Sequence, residues 1–517
     1  MSTLNDLLRK LDHRTAGLTF AGAPAVELTY GDLAGLIRGN ARHFQDLGVR
    51  RGDRVALSIE SDLEHVVALL ALIAMGAVPV SLKGPRTGDD QYAATLRRLV
   101  TRYGVAYAYR TLPDLGVPTL TWAPGATTAA DLGLVDVDAD DPCIIQFSSG
   151  SLGDPKPVPL RHSSLLANMH AITAVDHRHA GAQGWTFLPL SHDMGLIGGL
   201  LSNLIHQNPL FLATPQRFLR RPLEFLTWTP SDDCVVAMPD FAVRYLVNHL
   251  TNRGARTDAR LLARLRHIYC GAEPIRHETI AALVGIAEAW GFEPSSLIPC
   301  YGMAEATLIV TSHRFRGLAD SFLTAPNGRT IACVGQPIPG TDVVVGQRGP
   351  SGEPVASAPG REGVVFVRGP GVCRGYLDAP EFPGGWHDTG DTGLLRDGEL
   401  YVTGRVKELI IVNGENLFPH DIEQVVLQQE GVRDCMVMSE DDRFFVVVVP
   451  TPRATIELSS VAAQIAAQFG AVPAGMALGA AGELERTTSG KPMRATTLAA
   501  LRPRMAPPAA LGAPLQP

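Results

Sequence analysis

The sequence predicts an α/β fold in two lobes: a large N-terminal one of mostly parallel sheets with a β-rich subdomain, and a small α+β one at the C-terminus. Three observations carry this. Across most of the 517 residues, windows of helical period alternate with short Val/Ile-rich runs, the texture of strand–helix units. Near Cys333 the helical windows stop, and short strands separated by Gly/Pro turns take over. Beyond Lys407 a compact unit of helix, two strands and helix follows.

Taken in order, residues 62–74 read as a helix that runs through Gly76 into a strand at 78–82. The run 66–80 is the longest apolar stretch. It is too short for a bilayer and contains Gly76 and Pro79, so no membrane span is expected. Residues 143–147 read as a buried strand, 163–174 as a helix, 185–189 as a strand and 277–290 as a helix. In the β-rich part, 341–346, 363–368 and 399–403 read as strands. The last unit reads as a helix at 421–429, strands at 435–439 and 444–449, and a helix at 461–469. The expected boundaries are 1–406 for the large lobe, with its β-rich part at about 333–404, then 407–501 for the small lobe and 502–517 for a loose Ala/Pro-rich tail.

Composition narrows the function. With 45% hydrophobic and 19% charged residues the chain buries a sizeable core and is not disordered. A net charge of −7 weighs against a nucleic-acid partner. The seven cysteines are scattered without a CxxC, which excludes a zinc site readable from spacing and disfavours a disulfide scaffold. The first ten residues are polar, so no signal peptide is read and the cytoplasm is the expected compartment. Basic residues are lopsided: five lysines (Lys10, Lys83, Lys156, Lys407, Lys491) against forty arginines. Each retained ammonium therefore invites a chemical reason.

Five segments carry chemistry. Gln146-Phe-Ser-Ser-Gly-Ser-Leu-Gly-Asp-Pro-Lys156 follows a strand and precedes a helix; its glycines, hydroxyls and lysine suit phosphate oxygens, though it lacks a Walker A ending and alone reads equally as a Ser/Gly turn. In Tyr301-Gly-Met-Ala-Glu-Ala-Thr307 an aromatic beside a glycine suits a purine, and a carboxylate four residues on suits Mg2+ on a polyphosphate; a surface turn is the plain alternative. Trp386-His-Asp-Thr-Gly-Asp-Thr-Gly393 sets Asp388 and Asp391 beside glycines, a match for paired ribose hydroxyls or a hairpin turn. The fourth segment, Gly404 to Glu423, joins the β-rich part to the last unit, and the fifth, Arg486 to Arg494, is a short glycine loop carrying Lys491.

In this order, over most of the chain, the five segments resemble the core motifs of the acyl-adenylate-forming superfamily, which includes acyl-CoA synthetases, nonribosomal peptide adenylation domains and firefly luciferases. Three of the five lysines fall inside them. Within the superfamily, Phe187-Leu-Pro-Leu-Ser-His-Asp-Met-Gly-Leu-Ile-Gly-Gly199, the Tyr301 segment and Gly414-Glu-Asn-Leu-Phe-Pro-His-Asp-Ile-Glu423 look most like stand-alone fatty-acyl-AMP ligases, which pass an activated carboxylate to a carrier-protein thiol. The resemblance implies a phosphate loop of Ser148, Ser149, Gly150, Ser151, Gly153 and Lys156. It implies adenine-lining roles for Gly271, Ala272, Glu273, Tyr301, Gly302 and Met303, ribose contacts from Asp391 and Arg405, and Mg2+ at Glu305. Lys407 would be the hinge of a mobile small lobe and Lys491 the catalytic lysine. His192 would stand at the mouth of an acyl pocket, with Met194 and Phe241 lining it or simply filling core. Leu152 stands where the family usually has threonine and Pro157 where it usually has glycine; one lost phosphate hydrogen bond is worth about 1–3 kcal/mol. Residues 308–334 lie where these ligases carry an insertion, and here the segment is short.

The implied reaction uses ATP and Mg2+ to convert a carboxylic acid, fatty or otherwise apolar, to an acyl-AMP, and then transfers it to a separate acyl or peptidyl carrier protein. The alternatives are an acyl- or aryl-CoA synthetase, a stand-alone amino-acid adenylation enzyme, and a non-catalytic nucleotide-binding protein on the same fold. Lys491→Ala is expected to cut carboxylate-dependent pyrophosphate exchange by roughly a hundredfold or more, the scale of losing one transition-state charge partner, while leaving the melting temperature unchanged. Exchange near the wild-type rate in that variant would remove Lys491 from the role.

Overall fold

The computed structural model describes residues 2–12, 16–82, 90–126, 134–148, 156–176, 181–227, 233–253, 260–324, 329–412, 415–440, 443–486 and 492–507. Four sheets organise them.

The first sheet runs Thr119–Leu120, Val105–Tyr109, Arg54–Ser58, Val78–Leu82, Pro142–Ser148, all parallel, and Lys156–Arg161 returns antiparallel on the last. Its companion helix Leu63–Ala74 is buried on nearly every side, as a helix apolar all round must be. Asp62 caps it, its carboxylate accepting the His65 N–H at 2.9 Å. No described helix is long and apolar enough to cross a membrane.

The second sheet has fifteen strands. Gly17–Phe20, Leu210–Leu212, Gln183–Thr186, Cys234–Met238, Leu265–Cys270 and Leu297–Gly302 run parallel. The pairing then reverses. Ile309–Ser312 is antiparallel to Leu297–Gly302, and Thr330–Pro337, Glu399–Arg405, His387–Arg396, Gly363–Arg368 and Asp342–Arg348 continue antiparallel from there. The β-rich part is thus hydrogen-bonded onto the parallel part as one sheet.

Past residue 407, the hairpin Ile410–Val412 and Glu415–Leu417 precedes a three-stranded sheet of Val432–Glu440, Arg443–Pro450 and Gly475–Leu478. Its alternate residues divide cleanly. Cys435, Val437, Phe444, Val446 and Val448 pack on one face, and Met436, Met438, Phe445, Val447 and Val449 on the other. That is why Phe444-Phe-Val-Val-Val-Val449 is a continuous apolar run: both faces are covered. This unit meets the rest at Arg329, whose Nε lies 2.7 Å from Asp421 and whose guanidinium donates to the Thr403 carbonyl. Gln424 adds a 2.8 Å bond to Glu278.

Two elements differ from the sequence reading. The strand expected at 185–189 is Gln183–Thr186; the apolar run continues, but the chain leaves the sheet before Pro189, which has no N–H for a ladder. The helix expected at 277–290 is two, His277–Gly285 and Ala287–Trp290, parted just after Gly285, a poor helix former.

Candidate active site

Five segments converge because each leaves the C-terminal end of a parallel strand: Ser148 from Pro142–Ser148, His192 after Gln183–Thr186, Phe241 after Cys234–Met238, Gly271 to Glu273 after Leu265–Cys270, and Tyr301 and Gly302 at the end of Leu297–Gly302. This is also where the large sheet turns from parallel to antiparallel, and ligands of open α/β sheets sit outside carboxyl ends at such reversals.

Asp391 ties the two halves of that sheet together. It is 5% exposed, accepts the Tyr301 hydroxyl at 2.6 Å and lies 2.9 Å from Arg405 Nε. Burial and then the Asp391 charge hold the Tyr301 hydroxyl well above its usual range, so it stays a donor. Asp388, the other carboxylate of this motif, faces different partners. It pairs with Arg348 and accepts the Gly390 N–H, and Gly390 takes a left-handed φ of 69° between the two carboxylates.

The turn after Tyr301 is held under strain. A Cβ on Gly302 would lie 1.8 Å from the Leu308 carbonyl oxygen, so only glycine fits. Thr307 has φ 68° and ψ −61°, a conformation costing of the order of 1–3 kcal/mol. Its hydroxyl donates to the Gly371 carbonyl at 2.6 Å. Asn168, buried in the helix His162–Asp176, donates to the Ile309 and Ala306 carbonyls at 2.8 and 3.2 Å and accepts the Ile309 N–H. The turn presents Glu305, which accepts the Tyr376 hydroxyl at 2.9 Å, and Lys156 Nζ lies 4.6 Å from the centre of the Tyr376 ring. Met303 opens this turn, its N–H donating to the Leu308 carbonyl. Asn168, Thr307 and Tyr376 were not found from sequence. A buried asparagine inside an apolar helical window was the one signal available.

On the other side, Gly271 has no room for a side chain, since a Cβ would lie 2.7 Å from the Cys300 carbonyl oxygen. Ala272 takes φ 69°. Glu273 accepts the Phe241 N–H at 2.6 Å. Burial, then the nearby Asp240, push its carboxyl up to about 7. Asp240 is itself held by the Arg276 N–H and the Thr279 hydroxyl.

Between these groups lies a cavity of about 700 Å3 including its mouth, lined by Asp193, Met194, Gly198, Val235, Ala237, Tyr269, Ala272, Cys300, Gly302 and Leu308 among others. Met194 lies where the sequence reading put it. Phe241 is not among the lining residues; its ring packs against the core cluster around Val236 and Met238. His192 sits just before the helix Met194–Leu201 that forms one wall. Lys407 is exposed in the short helix Val406–Glu408. Ser149, Gly150, Ser151, Gly153 and Lys491 lie outside the described residues.

Fold and site define an α/β protein with a largely apolar cavity where its large sheet turns from parallel to antiparallel. The family model for AMP-binding enzymes matches residues 12–377, and the chain belongs to that family. A "Putative acyl-CoA synthetase" of Caulobacter vibrioides is 32% identical over 74% of this chain and 72% of its own length. The long-chain-fatty-acid–AMP ligase FadD26 of Mycobacterium tuberculosis is 29% identical over 76% and 75%. A solved structure from studies of fatty acyl-adenylate ligases of E. coli and L. pneumophila matches with a TM-score of 0.83 at 27% identity, over 97% of this chain and 98% of that one. McyG A-PCP complexed with phenylalanyl-adenylate matches with a TM-score of 0.85 at 21% identity, over 97% and 83%, a likeness of fold. The chain is an AMP-forming acyl ligase that uses ATP.

Glu273 gives a signed pH test. A carboxyl raised in the folded state stabilises fully below its unfolded pKa near 4.5, and that contribution is lost as pH rises through about 7. Glu273→Gln is therefore expected to gain stability relative to wild type as pH goes from about 5 to about 8, read as the difference between their thermal melting curves. A difference independent of pH would show that the carboxyl is not held neutral.

Proposed function

We propose that this ligase activates an apolar, fatty-class carboxylic acid and passes the acyl group to the phosphopantetheine thiol of a separate carrier protein. The observation that carries the reading is the cavity with Val235, Ala237, Leu308 and Met194 in its wall and Ala272 and Gly302 at the nucleotide side. Its lining is mostly apolar, the character an acyl chain needs. In the first step a carboxylate oxygen attacks the α-phosphorus of ATP, the bond to the β-phosphate breaks, and pyrophosphate leaves. Negative charge gathers around phosphorus, and catalysis there is positioning plus positive charge. Lys491 and Lys156 supply the charge, Asp391 and Arg405 hold the ribose, and Tyr301 packs on the adenine with Gly271 and Ala272. Glu273, bonded to Phe241, supports that wall. Mg2+ fits Glu305: such ions are commonly held by one or two protein carboxylates plus substrate phosphates, and the Tyr376 bond engages one Glu305 oxygen. Bound there, it would neutralise phosphate charge.

In the second step the thiol sulfur attacks the acyl carbonyl, the bond from that carbon to the AMP phosphate oxygen breaks, AMP leaves, and the thiol proton goes to solvent. A small lobe of residues 407–501 turns about Lys407 between the steps, with His192 at the acyl mouth. We place the reaction in the cytoplasm, where the seven buried free thiols would stay reduced.

Choice of acceptor rests on charge. Coenzyme A brings a multiply phosphorylated nucleotide that needs a basic landing site. Between Lys407 and Glu485 the chain has three arginines (Arg433, Arg443, Arg453) against eleven carboxylates. The named relatives point to both chemistries, one an acyl-CoA synthetase and one a fatty-acid–AMP ligase. A side-by-side assay with ATP, a panel of fatty, aromatic and amino acids, and either coenzyme A or a holo carrier protein decides. The expected result is carrier loading with fatty acids and little acyl-CoA. Efficient acyl-CoA formation without carrier loading would make the enzyme a CoA synthetase, and no pyrophosphate exchange with any acid would make the chain non-catalytic.

A further inference from the structure

We propose that His313, Cys333 and Glu399 form a zinc site, apart from the nucleotide pocket, that clamps the strand Thr330–Pro337 and the chain after Ile309–Ser312 to the strand carrying Arg405. Cys333 and Glu399 are 20 and 86 chain positions from His313, so no spacing motif announces the trio. The fold brings them together. His313 follows the strand Ile309–Ser312, Cys333 lies in Thr330–Pro337, and Glu399 opens Glu399–Arg405. These strands are neighbours, with Ser312 opposite Gln336 and Cys333 opposite Tyr401.

The geometry fits a metal. His313 Nδ1 lies 3.2 Å from Glu399 Oε1 and 3.5 Å from Cys333 Sγ, and all three ligand atoms fall within 4.8 Å of one another. Tetrahedral zinc, with bonds of about 2.0–2.1 Å to nitrogen, 2.3 Å to sulfur and 2.0–2.2 Å to oxygen, sets edges of about 3.3 Å between N and O and about 3.6 Å between N and S. A hydrogen-bonded trio would also bring these atoms close, so the outer partners matter. His313 Nε2 lies 2.9 Å from Ser321 Oγ, and that oxygen accepts the Arg316 N–H at 3.2 Å. Arg316 holds the second oxygen, Glu399 Oε2, at 2.8 Å, leaving Oε1 toward the cluster. Each of these two ligands is thus oriented from behind, as metal ligands commonly are.

Charge and softness select the ion. The His313 and Cys333 side chains are buried and Glu399 is mostly so. A thiolate and a carboxylate balance a divalent cation, and the Arg316 side chain behind Glu399 is 55% exposed, so its charge is eased by solvent. A sulfur–imidazole–carboxylate set favours zinc over Mg2+ or Ca2+. On binding, the Cys333 thiol gives its proton to solvent, and water takes the fourth position. The role is structural: the site anchors the start of the strand whose far end holds Arg405 against Asp391.

The test uses the full-length enzyme, purified without chelator and analysed for metal by mass spectrometry. About one zinc per chain is expected, with a melting temperature lowered by chelator and restored by Zn2+. Cobalt-loaded enzyme should show a thiolate-to-cobalt charge-transfer band that Cys333→Ala lacks, whereas Cys373→Ala, which removes another buried thiol, should keep it. Should Cys333→Ala fail to fold, the wild-type arms decide alone. Wild-type enzyme with no zinc, no cobalt band and a melting temperature indifferent to chelator and Zn2+ overturns the proposal. So does a folded Cys333→Ala variant with undiminished zinc.

Discussion

A carboxylate buried to 5% exposure needs partners, and Asp391 has two, the Tyr301 hydroxyl and the Arg405 guanidinium. Removing either would leave a buried charge short of its compensation, a costly state. Tyr301 ends the last parallel strand and Arg405 ends a strand of the antiparallel part. The Tyr301 contact therefore joins the β-rich strands to the parallel ones where the motifs gather, and the Arg405 contact, between neighbouring antiparallel strands, holds Asp391 in place for it. Everything proposed for the nucleotide depends on that registration: the ring of Tyr301, the ribose contacts of Asp391 and Arg405, and the position of Lys407 two residues further on.

The neighbouring Glu305 turn shows how such a site is maintained. Glycine at 302 lets two backbones approach more closely than any side chain allows, and Thr307 adopts a strained conformation. Packing over-determines both. Asn168 reaches the turn from a helix 138 residues earlier in sequence, and Gly371 from 64 residues later. The strain is borne by buried hydrogen bonds rather than by the local sequence, so the turn keeps Glu305 beside Tyr376 and Lys156.

That division explains what the sequence could tell. Strands Val78–Leu82 and Gly363–Arg368 fall on the residues read from their apolar runs, because glycine or turn residues bound both. Motif residues were legible because they sit at strand ends, where Gly and Ser interrupt an apolar run. The strand near Trp185 was misplaced because Phe187 and Leu188 prolong the apolar run after the chain has left the sheet. Asp388 and Asp391 share one motif, and only the fold, with Gly390 left-handed between them, shows that they have different partners. Tyr376, Asn168 and the His313–Cys333–Glu399 cluster act only through tertiary contacts, which no local pattern records.

The central claim is that Asp391 organises the nucleotide site through charge. Asp391→Asn keeps the size and removes the charge, and equilibrium ATP binding reads the consequence. Hydrogen bonds to charged groups are worth about 1.5–3 kcal/mol, so a loss of affinity of roughly tenfold or more is expected in a variant whose far-ultraviolet spectrum is unchanged. A folded Asp391→Asn protein that binds ATP as tightly as wild type would contradict the account.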